Sequence, residues 1–96
     1  MSQAMESAIR VTEDYISSLD AFGNWYGYDF DEVSYSKTAA AEILDLLKKN
    51  MSVPPLCVIE DFRNKMGKLS FLNEHTKDIF AVAYVTAENI IDILIT

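Results

Sequence analysis

The sequence predicts an all-α protein, a small four-helix bundle with an acidic, aromatic loop between helices 1 and 2. Three observations carry that expectation. Apolar residues recur at helical spacing in four stretches of the chain. Gly23, Pro54-Pro55 and Gly67 fall where those stretches stop, and such residues end a helix or cannot continue one. The one segment rich in β-branched residues, Ile79–Val85, has no second segment to pair with, and a lone strand is not stable. The alternative is an α+β fold with a strand near 79–85. Ala81, Ala83 and Ala87 favour helix there.

The first helix is expected over 3–20. Met5, Ala8, Ile9, Thr12, Tyr15, Ile16 and Leu19 share one face, Ser2 caps the start and Gly23-Asn24 ends it. Residues 22–34 follow no period and read as a structured loop, although Asp29-Phe30-Asp31-Glu32 also fits the opening turn of a helix. The second helix is placed at 35–50, capped by Ser34 or Ser36. Ala40, Ile43, Leu44, Leu47 and Met51 form its buried stripe, and Lys48 and Lys49 complement the dipole at its end.

Pro55 suits the first turn of a third helix that uses Leu56, Ile59, Phe62 and Met66, reaches toward Leu69 and ends near Gly67. Residues 70–76 read as a connection, with Asn73 or Thr76 as the next cap. From Ile79 to Ile95, thirteen of seventeen residues are apolar. The exceptions, Thr86, Glu88, Asn89 and Asp92, are assigned to one polar strip, so this helix is expected to be the most buried. Ala41–Leu47 echoes Ala87–Leu94 with one residue inserted, a weak sign of a duplicated helical hairpin.

Length allows one domain over residues 1–96. The formal net charge is −7, and its placement matters more than its size. Residues 1–47 hold nine acids and two bases, Arg10 and Lys37, whereas residues 48–96 hold six of each. The field is therefore lopsided. Direct nucleic-acid binding is not expected, because phosphates need clustered Lys and Arg. A larger protein with a basic surface is the expected partner. The longest apolar run is far short of the roughly 20 residues a membrane span needs. The N-terminus lacks the pattern of a signal peptide, and the single Cys57 fits a reducing compartment, so a cytoplasmic location is expected.

Chemistry finds little support. His75, beside Glu74 and three residues before Asp78, is too sparse a constellation for a metal or proton-transfer site. Cys57 is expected to pack as a small apolar residue. Glu13-Asp14 and Glu60-Asp61 are adjacent pairs that diverge by about 100° on a helix, so neither converges on a substrate. No cofactor and no metal is implied, and no enzymatic activity is expected.

Residues 20–35 hold six of the eleven aromatics, four acids and no base. In one reading the rings fold back over the bundle as a lid. In the other, some of Trp25, Tyr26, Tyr28 and Phe30 are exposed anchors, with Asp29, Asp31 and Glu32 steering a basic partner. Glu13 and Asp14 on the first helix would extend that partner-binding surface. The implied function is that of a small acidic inhibitor or regulator occupying a basic, nucleic-acid-binding surface of a larger protein. Nucleic-acid mimics from phages and mobile elements that block restriction or CRISPR enzymes share this size, charge and lack of catalytic residues. The alternative is an assembly module that forms a homodimer or docks through an apolar helix face.

Overall fold

The computed structural model describes residues 2–22, 29–72 and 77–96. They form four helices, α1 (Gln3–Phe22), α2 (Phe30–Lys49), α3 (Pro55–Leu72) and α4 (Lys77–Ile95). No strand occurs among the described residues, so Ile79–Val85 is helical and the α+β alternative falls.

The starts of α1 and α3 and the end of α4 meet at one end of the bundle, where Ala4, Ser7, Pro55, Leu56 and Leu94 come together. Asp20 near the end of α1 pairs with Lys37 in the second turn of α2 at the other end. The helices thus alternate up and down, and α2 and α4 run the same way. These two parallel helices pack against each other at the centre. Ser36, Ala40, Ala83, Thr86 and Ala87 are all buried, and such small side chains let two helix backbones approach closely. α1 packs mainly on α2, and α3 mainly on α4. The molecule is thus two helical hairpins joined through their second helices. Aligning the first residue of α2 with that of α4 sets Ala40 against Ala87, Ile43 against Ile90 and Asp45 against Asp92, with the first two pairs fully buried.

Each helix is set by local chemistry. Ser2 caps α1 as expected: the Met5 amide donates to Ser2 Oγ at 3.1 Å. Met5, Ala8, Thr12, Tyr15 and Leu19 form its buried face, while Ile9 and Ile16 are only half-buried. α2 starts five residues before the expected 35. Its cap is Asp29, not Ser34 or Ser36, both of which lie inside the helix. The Glu32 amide donates to Asp29 Oδ1 at 2.8 Å, and the Asp29 amide donates to Glu32 Oε1 at 3.1 Å, a reciprocal capping box. Of the expected α2 stripe, Ala40, Ile43 and Leu47 are buried and Leu44 half-buried. Met51 lies beyond the helix end and is exposed. Asn50 closes α2, its amide donating to the Leu47 carbonyl and its side chain to the Leu46 carbonyl.

Pro55 opens α3, and the Pro54 carbonyl accepts from the Cys57 and Val58 amides. Gly67 does not end this helix, which continues to Leu72. The glycine answers a packing need instead: a methyl group placed there would lie 3.1 Å from Tyr84 Cδ2, so the absent side chain lets the ring lie close against α3. Asn73 and Thr76, the expected caps of α4, lie outside the described residues.

α4 has six buried residues, Val82, Ala83, Thr86, Ala87, Ile90 and Ile91. Its polar residues do not form one strip. Thr86 lies on the buried face toward α2, and its neighbours Glu88 and Asn89 reach to α3 and α1. Tyr84, Val85, Ile93 and Ile95 fall on or beside the outer face and keep 37–63% exposure. The helix is therefore buried on one side rather than all round.

Candidate protein-binding surface

The expected surface divides into a part that the structure places and a part that it does not. Trp25, Tyr26 and Tyr28 lie outside the described residues. Asp29, Asp31 and Glu32 occupy the N-cap and first turn of α2, with Asp29 and Asp31 exposed and Glu32 half-buried. Asp29 and Glu32 are tied into the capping box, so they hold the start of α2 as well as presenting charge. Phe30 stands among them as the first helical residue, 90% exposed.

Glu13 and Asp14 lie in the middle of α1. Both are exposed, but they face different ways on α1. Glu13 borders a shallow depression with Glu6, Ile9 and Arg10. Asp14 lies on the rim of a groove of about 210 Å³ between α1 and α4, lined by Val11, Tyr15, Ser18 and Ile93. An Asn89 Nδ2–Tyr15 Oη hydrogen bond of 3.1 Å also joins these two helices. A second groove, of about 330 Å³, opens between α2 and α3 over Leu46, Phe62 and Met66, with Glu42, Asp61 and Lys65 on its edge.

The acids of the N-terminal half are presented rather than consumed. All nine are described; eight are exposed and Glu32 is half-buried. Among the described residues two of them enter ion pairs, Asp20 with Lys37 and Asp45 with Lys49. In the C-terminal half, Arg63 on α3 pairs with Glu88 on α4 at 2.9 Å in a half-buried setting, a contact that holds the second hairpin together.

The described residues contain no cluster of three or more His, Cys, Asp or Glu placed to hold a metal ion, and none of their helices is long and apolar enough to cross a membrane. His75 lies outside the described residues. Cys57 is exposed, contrary to the expected packing role. The face of α3 set by Val58, Ile59, Phe62 and Met66 turns position 57 outward.

Two features escaped sequence reasoning. Phe71 and Leu72 fall in a stretch that reads as a connection, yet they form the last turn of α3 and are 88% and 81% exposed. Running the helical period past Gly67 places them away from the Ile59–Phe62–Met66 face, which is the signal that would have found them. The second feature is the buried Ser36–Thr86 hydroxyl pair, for which periodicity gives no sign. No family model, curated protein or solved structure matches this chain.

Proposed function

We propose that this protein binds, and thereby blocks, a basic surface of a larger protein, one that otherwise holds nucleic acid. The supporting observation is the outward presentation of the acids of residues 1–47, of which the described ion pairs take up two. Carboxylates displayed in this way raise the encounter rate with a cationic surface and repel phosphate directly. The protein acts as a charge mimic without bond chemistry, in the manner of inhibitors of restriction or CRISPR enzymes, and works in the cytoplasm alongside its target.

The test is displacement. A partner isolated on the immobilised protein is loaded with labelled nucleic acid, and the protein is titrated in. Release of the nucleic acid, weaker at high salt, is the expected result. Simultaneous binding of both, or a partner without a basic surface, overturns the proposal. The protein alone is expected to leave duplex DNA unshifted in a gel at physiological salt.

A second reading rests on α4, which keeps Val85 and Ile93 nearly half-exposed, Ile93 in a groove shared with α1. Docking of two copies through that face would appear as a concentration-dependent mass in light scattering, insensitive to salt.

A further inference from the structure

Phe30, Phe71 and Leu72 are the most exposed large hydrophobic residues of the described chain, at 90%, 88% and 81%. They lie at one end of the bundle, where α2 begins and α3 stops. At the opposite end, Met51 and Val53 are only 37% and 38% exposed. Two phenyl rings and a leucine left in water forgo the stabilisation that burying their apolar surface would bring.

The charge around them is one-sided. Asp29, Asp31 and Glu32 flank Phe30, and Asp78 stands in the first turn of α4 at the same end. Among the described side chains Lys68 is set against these four, and Lys37 is engaged by Asp20. Two copies meeting tip to tip would bring their carboxylates together, and like charges across an interface disfavour the wrong partner. A cationic rim around an apolar cleft matches both the rings and the acids.

We infer that Phe30, Phe71 and Leu72 are the apolar anchors of the partner-binding surface. They seat in an apolar cleft edged by Lys and Arg on the target protein. The inference rests on the proposed function and narrows it to this end of the bundle. Two anchors come from the end of α3, so the surface draws on both hairpins and not on the α1–α2 connection alone.

The experiment is a ¹⁵N–¹H NMR titration with a synthetic amphipathic helix of Lys and Leu, and with its Glu and Leu counterpart as control. The variant is Phe30→Ser/Phe71→Ser/Leu72→Ser. Saturable shifts confined to residues 29–34 and 68–72 with the cationic peptide alone, weakened at least tenfold in the variant, are expected. The variant should melt within a few degrees of the parent. Shifts elsewhere, or equal binding of the anionic peptide, overturn the inference. So does a large drop in melting temperature, which would mean that the chain's own connections cover these residues. A parent dimer that the variant abolishes would make a second copy the occupant, and overturns it as well. The displacement assay separates the two failures. If the triple variant still displaces nucleic acid from the partner, the anchors are wrong and the function stands. If the parent itself displaces nothing, the function fails whatever the peptide does.

Discussion

Thr86 makes one of the few polar contacts inside the core. Its hydroxyl donates to the Val82 carbonyl at 2.8 Å and lies 2.6 Å from Ser36 Oγ. Since Thr86 has one hydroxyl proton and gives it to Val82, Ser36 must donate to Thr86. Replacing Thr86 with Val keeps the volume but leaves the buried Ser36 hydroxyl without its acceptor, at a cost of about 1–3 kcal/mol. Ser36→Ala leaves Thr86 its carbonyl and should cost less. In chemical denaturation, the double variant should lose less than the sum of the two, the mark of a coupled pair. This pair was not legible in the sequence because Thr86 sits among three other polar residues and its direction depends on where α2 lies. At the surface, the Asp45 hydrogen bond and charge raise the Lys49 ammonium above its ordinary value of 10.5. A raised pKa contributes stability that is present below the unfolded value and lost as pH climbs through the folded one. From neutral pH up to about 10.5, Asp45→Asn should therefore differ from the parent by a small constant amount in melting temperature, and the two should converge above it.

At the scale of the helix, starts and stops decide what is presented. Asp29→Ala removes half of a capping box and should cost about 1 kcal/mol, read in denaturant, with fraying of the first turn that carries Phe30. Asp29→Asn should cost far less, because the amide oxygen still accepts from the Glu32 amide. Gly67→Ala sets two effects against each other. Alanine in a helix gains up to about 1 kcal/mol over glycine, while its methyl group crowds the Tyr84 ring. That ring is 37% exposed and can shift by a few tenths of an ångström, so the variant should be equal to or slightly more stable than the parent. Gly67→Leu should be clearly destabilised. The helical periods of α1 and α4 were plain in the sequence, and so was the Ser2 cap. The start of α2 is ambiguous in the sequence because two serines at 34 and 36 compete as caps with the Asp29…Glu32 box, whose reciprocal bonds decide the matter. The end of α3 is ambiguous because glycine signals either a stop or a close approach, and only the position of Tyr84 tells which.

Over the whole molecule, two hairpins meet through parallel central helices, and the charge sits on the first of them. Ile90 is fully buried on α4 beside that central contact. Ile90→Asp should unfold the protein, since a buried unpaired carboxylate costs several kcal/mol of the roughly 5–10 available, whereas Glu88→Ala should lose only the half-buried contact to Arg63. Loss of the helical circular-dichroism signal in the first variant and its retention in the second check this. The four-helix class and the lopsided charge were legible in the sequence, because composition and periodicity average over many residues. The gathering of Phe30, Phe71 and Leu72 at one end is not, because it depends on how the helices are arranged and on where each one stops, whereas the divergence of Glu13 from Asp14 already follows from their adjacency on a helix. The proposed recognition of the acidic surface by a cationic partner is tested by the association rate with the captured partner from low to high salt, for the parent and for Asp29→Asn/Asp31→Asn/Glu32→Gln, which keeps every capping oxygen and removes three charges. The parent rate should fall steeply as salt rises, and the variant should associate more slowly with a flatter dependence and a nearly unchanged dissociation rate. Equal association rates that ignore salt would contradict the claim.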